Sequence, residues 1–175
     1  MKRVLGFALA VVAAASVSAC GFHPLYATDT TPEGMTQYYS QVLVEPIQGR
    51  QGVHLRNQLL DAFTPGGTPT SAAYRLTIKL EDQKEGLAIQ ADTRITRYNY
   101  NLTAKYELKD SVSGKVLDKG IARAIAAYNV VDSQFATLSA ERDAQERAAR
   151  EVGEDIRIRL GFYFEQRFRS PDTHG

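Results

Sequence analysis

From Tyr98 to Leu108 the chain alternates without a fault. Tyr98, Tyr100, Leu102, Ala104, Tyr106 and Leu108 form one side, and Arg97, Asn99, Asn101, Thr103, Lys105 and Glu107 form the other. A strict period of two belongs to a β-strand in a sheet with one buried and one polar face. At about 3.3 Å per residue such a strand runs roughly 36 Å. Its apolar side must be covered by another layer, so the rest of the chain has to supply one.

Two helical patterns can do so. After a short β-branched strand, Gln41 to Ile47, turn residues surround Gly49 and Gly52. From Val53 the period then changes, with Val53, Leu55, Leu59, Leu60 and Phe63 on one side. Thr64-Pro-Gly-Gly-Thr-Pro stops that helix. The second is longer, from about Thr137 to Phe164. Ala140, Ala144, Ala148, Val152, Ile156, Leu160 and Phe164 recur along it every fourth residue. Asp143/Arg147, Glu146/Arg150 and Asp155/Arg159 are acid-first pairs at the stabilising spacing.

Two more strands complete the sheet. Tyr74, Leu76, Ile78 and Leu80 alternate with Arg75, Thr77, Lys79 and Glu81, and a polar segment around Gly86 follows. After Tyr98–Leu108, Asp110 to Gly114 is a hairpin loop and the chain returns from about Val116 to Val130. This last strand has two apolar candidates for its inner face. Ala122, Ala124, Ala126 and Tyr128 oppose Leu117, Ile121 and Ile125, and the pattern does not choose between them. The order β-α-β-β-β-α predicts an α/β (α+β) two-layer sandwich, a four-stranded sheet with two helices on one face. The strand and helix lengths predict an elongated body.

The N-terminus carries a different signal. Lys2 and Arg3 precede an apolar run from Val4 to Val17, and Val17-Ser-Ala-Cys20 follows. The run is too short for a spanning helix, which needs about 20 residues, and matches a secretory signal ending in small residues. Cys20 is the chain's single cysteine, so it has no disulfide partner within the chain. At this position it is the acyl acceptor of a lipobox, and several acyl chains (palmitate among them) would hold the protein to a membrane. Gly21 stands where an aspartate would favour the inner membrane, so the outer membrane is expected. The expected division is a cleaved signal at 1–19, an anchor and tether at 20–40, one domain at 41–168 and a flexible tail at 169–175.

Cleavage would remove two of 21 basic residues and leave 19 against 20 acidic, a net charge of −1. That balance argues against nucleic-acid binding. His23, His54 and His174 share no metal-ligand spacing, and no nucleophile elbow, P-loop or H-E-x-x-H is present. Neither an enzyme nor a metal or other cofactor is expected. The polar sheet face is the better candidate site. Arg75, Lys79, Arg97 and Lys105 should project from it, joined by Arg94 if the strand starts early. Guanidinium and ammonium groups suit phosphate and carboxylate oxygens. Ile121 and Ile125 could add an apolar site for acyl chains or a partner.

Cys20-Gly-Phe-His-Pro-Leu-Tyr26 resembles the mature start of the lipopolysaccharide-assembly lipoprotein LptE family, particularly its alphaproteobacterial members. Arg97-Tyr98, Tyr128-Asn129, Ser133-Gln-Phe-Ala136 and Ala140-Glu-Arg-Asp-Ala144 continue the likeness in the family's order. The resemblance implies two helices against a four-stranded sheet. It also implies a lipid-anchored plug that sits inside the outer-membrane β-barrel LptD, helps it assemble, and assists lipopolysaccharide delivery to the outer leaflet. The body would then face the periplasm or lie in the barrel lumen, whose interior is polar. The phosphates of lipid A would meet the basic residues 75, 79, 94, 97 and 105. The competing expectation is a periplasm-facing lipoprotein that binds lipid or serves an envelope transporter, without a barrel partner.

Overall fold

The structure is a computed structural model that describes residues 37–67, 71–89 and 95–168. Cys20, the anchor and tether as far as residue 36, Arg94 and the tail from 169 lie outside the described residues, whereas Tyr39, expected in the tether, is buried in the core and stacked on Phe63. The elements run β1 (Val42–Val44), α1 (Arg50–Phe63), β2 (Tyr74–Ile89), β3 (Ile95–Asp110), β4 (Val116–Asn129) and α2 (Gln134–Phe168). This is the expected β-α-β-β-β-α order.

The strands pair in sequence order, β1-β2-β3-β4. β1 runs parallel to β2 through Val42–Val44, with α1 as the connection between them. β2/β3 and β3/β4 are antiparallel. Asp110 closes the β3–β4 turn, its carboxylate accepting from the Val112 and Ser113 amides at 3.1 and 2.7 Å. Those hydrogen bonds hold the Asp110 carboxyl below the usual carboxylate range.

The alternation of β3 becomes burial. Tyr100, Leu102, Ala104, Tyr106 and Leu108 are all in the core, with Leu76 and Ile78 of β2 beside them. α2 lays Ala144, Ala148, Val152, Ile156, Leu160 and Phe164 on this face, and all six are buried. Fully burying one such leucine or isoleucine stabilises the fold by about 1.5–3 kcal/mol. α1 contributes Leu55, Leu59 and Phe63. The helices meet closely at Gly153, where an added Cβ would stand 3.0 Å from both Leu55 Cδ1 and the Gln58 side chain. Gln58 Nε2 donates to the Arg150 carbonyl at 3.0 Å across that contact.

Four expectations change in detail. The polar segment after Glu81 is strand, because β2 continues to Ile89 opposite the start of β3. Its side chains from Glu81 to Leu87 are exposed on both faces, so no alternation marks it. Val53 is 55% exposed and Leu60 only half-buried, and Gly52 takes the inner place that Val53 was expected to fill. α2 begins at Gln134, three residues before the expected start, where Ser133 Oγ accepts from the Ala136 amide at 3.3 Å as an N-cap. β1 is shorter than Gln41–Ile47, because pairing ends at Val44.

The inner face of β4 is the alanine one. Ala122, Ala124, Ala126 and Tyr128 are buried, while Ile121 and Ile125 point outward. α2 packs across β4 with its own small residues, Ala140, Ala144 and Ala148, toward the sheet. Side chains this small on both elements permit the close approach, and isoleucines would not.

Candidate functional site on the outer sheet face

The strand register brings the outward residues of four strands into rows. Glu45, Thr77, Glu107 and Lys119 form one row; Lys79, Lys105 and Ile121 form the next. Arg75 and Lys109 stand directly opposite on the far side of the first row. A groove of about 780 Å³ opens over these residues. Five cations line it (Arg75, Lys79, Lys105, Lys109 and Lys119) against two carboxylates, Glu45 and Glu107.

Three of the cations are paired. Arg75 Nη1 donates to Glu45 Oε1 at 3.1 Å, and the Thr77 hydroxyl donates to Glu45 Oε2 at 2.9 Å. Lys109 Nζ meets Glu107 Oε2 at 2.8 Å. Lys105 Nζ turns along the strand to Glu81 Oε1 at 2.5 Å. Lys79 and Lys119 have no ion-pair partner among the described residues, and neither has Arg123, one step along β4. Glu107 sits in the middle of the positive field. Its hydrogen bond from Lys109 first, then the charges of Lys109, Lys119 and Lys79, hold its carboxyl below the usual range.

Lys79 and Lys105 are cross-strand partners. Directly opposite side chains on one face lie about 4.5–5.5 Å apart at Cβ, and like charges there are destabilising. Lys105 leans away toward Glu81, which leaves the Lys79 ammonium open over the groove. Such an arrangement favours a multiply charged anion, to which ammonium groups act as adaptable point charges. On the opposite, inner face Gly120 leaves room for Tyr106, whose hydroxyl would stand 2.7 Å from an added Cβ.

Of the expected site residues, Arg75, Lys79 and Lys105 come together. Arg97 shares their face but pairs with Asn129 at the opposite end of β3. Eight residues from Lys105, it stands roughly 26 Å away along the strand. Arg94 lies outside the described residues. Sequence reasoning missed Lys109, Lys119 and Arg123. Lys109 lies one step past Glu107 on the outward face of β3, while the direction of Lys119 and Arg123 follows only once β4 is known to face inward through its even-numbered residues, an orientation not readable from the pattern.

No described helix is long and apolar enough to cross a membrane. No curated protein matches the chain. Among solved structures, a protein of Caulobacter crescentus described as a lipoprotein is 27% identical, covering 77% of this chain and 97% of its own, with a TM-score of 0.65. A minor lipoprotein of Acinetobacter baumannii is 16% identical over 71% of this chain and 94% of its own, with a TM-score of 0.55. Rare lipoprotein B of Shewanella oneidensis is 10% identical over 74% and 97%, with a TM-score of 0.54. The last two share the fold alone. The family model described as LptE, lipopolysaccharide-assembly, matches residues 39–160, which takes in every element from β1 to most of α2. This chain belongs to the LptE family of lipopolysaccharide-assembly proteins.

Proposed function

We propose that the outer sheet face holds the phosphate-bearing part of lipopolysaccharide while the domain sits as a plug in the LptD β-barrel, tied to the outer membrane by acyl chains on Cys20. Membership in the family gives the chain a role in lipopolysaccharide assembly; the site, the barrel and the anchor are this proposal's own. The observation that carries it is the open Lys79 ammonium beside Lys105, over a groove with five cations and two carboxylates. Phosphates of lipid A would relieve the repulsion between those lysines and gain charge-assisted hydrogen bonds. Arg75, Lys79 and Lys105 form the central contact, extended by Lys109 and Lys119. Arg97 would act at the far end of β3, and Arg94, outside the described residues, remains a candidate from the sequence alone. A polar sheet face also suits a barrel lumen, which is polar and water-filled. The protein then works by binding, with no covalent step.

Detergent extraction of native outer membranes followed by pull-down tests the barrel. Recovery together with a large β-barrel is expected. Recovery only as a free monomer, from membranes that contain the barrel, would contradict it. Cys20→Ser should shift the protein from the outer-membrane fraction to the soluble periplasmic fraction, and retention in the membrane would contradict the anchor.

A further inference from the structure

β4 is the last strand of the sheet, and its outer edge is open over its middle. The Val130 amide donates to the Thr96 carbonyl at 2.9 Å. Antiparallel pairing alternates, so the even-numbered residues of β4 bond to β3 and the odd-numbered ones turn their N–H and C=O groups outward. The register is unbroken from Asp118 to Asn129, so the alternation holds throughout. An independent contact agrees with it: Arg147 Nη2 donates to the Ala127 carbonyl at 3.0 Å from α2. That arginine caps one end of the edge. Ile121, Arg123 and Ile125 have no such cap among the described residues, and each presents a donor and an acceptor. The strand there has no proline and no bulge to block pairing, and the charges that guard it, Lys119 and Arg123, are of one sign.

The side chains of the open stretch have a definite chemistry. Ile121 is 40% exposed and Ile125 62% exposed. Between and beside them stand Arg123 and Lys119, neither ion-paired among the described residues. A second copy of this chain is a poor occupant. The outward residues of β4, from Leu117 to Asn129, include no carboxylate, so self-pairing would leave both cations unneutralised or set Arg123 against Arg123.

We infer that the β4 edge from Ile121 to Ile125 docks an extended segment of another protein by strand addition, in which acidic and β-branched apolar residues take turns at every second position, so that both lie on one face of the added strand. The segment's backbone completes the three open positions. Its carboxylates meet Arg123 and Lys119, and its apolar side chains cover Ile121 and Ile125. This holds whether or not the groove takes lipopolysaccharide.

Hydrogen–deuterium exchange of the full-length acylated protein in detergent micelles tests it. The probes are two blocked nine-residue peptides, one with glutamate and valine taking turns at its even positions and threonine at its odd ones, and one with lysine in place of the glutamates. The glutamate peptide should slow exchange of the amides at 121, 123 and 125 by about tenfold or more, and the lysine peptide should not. Arg123→Glu combined with Lys119→Glu should reverse that preference, with protection in β3 and α2 unchanged as evidence of folding. Ile125→Pro, which removes one edge donor, should weaken the glutamate peptide's effect. Three results would overturn the inference. Neither peptide slows the edge amides, both slow them equally, or the edge is already protected by concentration-dependent self-association.

Discussion

Consecutive residues of β3 meet opposite surroundings, one face of the sheet packed under helix and the other charged and open. Inward, Tyr100, Leu102, Ala104 and Leu108 are between 0% and 1% exposed, with α2 packed against the strand. Outward, Lys105 and Glu107 stand in water with Lys79, Lys109 and Lys119 around them. The inner face is close-packed, so a change of one methylene is felt there. The outer face is wet, and ion pairs between exposed groups contribute little to stability. Charge gathered outward is therefore poorly explained as a stabilising device, which supports the proposed recognition role.

The comparison breaks first on the inner face. Leu102→Ala should cost about 2–5 kcal/mol, read as a lower urea midpoint at constant slope. Ala124→Leu should cost about 1–3 kcal/mol by forcing α2 away from β4; an unchanged midpoint would show that the alanine face is not tightly covered.

Alkaline pH probes the same layer. Burial, and next the Asp118 carboxylate, push the Tyr106 phenol from an ordinary 10.0 up to about 12. Burial also raises Tyr39, Tyr74, Tyr128 and Tyr163. A raised folded value means the contribution is complete below pH 10 and is lost as pH climbs through about 12. The urea midpoint should therefore hold to pH 10 and fall between 10 and 12, while phenolate absorbance rises. A flat midpoint over that range would mean that Tyr106 is solvated.

The smallest effect belongs to the outer face. Lys79→Ala should move stability by no more than about 0.5 kcal/mol, upward if anything, because it removes a like charge opposite Lys105. A loss of several times that size would make the lysine structural and erase the distinction between the faces.

What the sequence disclosed follows from how each segment is buried. β3 is covered on one face only, so its alternation was complete and its inner residues were readable one by one. The stripe on α2 was equally plain from Ala140 to Phe164. β4 resisted because space, not hydrophobicity, decides its inner face. Isoleucine is the more apolar residue, yet alanine is what fits under a helix that approaches through Ala144 and Ala148. The second half of β2 was hidden for the opposite reason, since Glu81 to Leu87 has no buried face to leave a period. The candidate site was legible only as far as those strands were. Arg75, Lys79 and Lys105 came from β2 and β3, whereas Lys119 and Arg123 required the register of β4.

Titration of lipopolysaccharide into the full-length protein and into its Lys79→Glu/Lys105→Glu variant tests the central claim most directly. The account predicts at least about tenfold weaker binding by the variant, about 1.4 kcal/mol, with a urea midpoint close to that of the unchanged protein. Equal affinity in a variant that remains folded would contradict it, and the outer face would then be ordinary solvated surface.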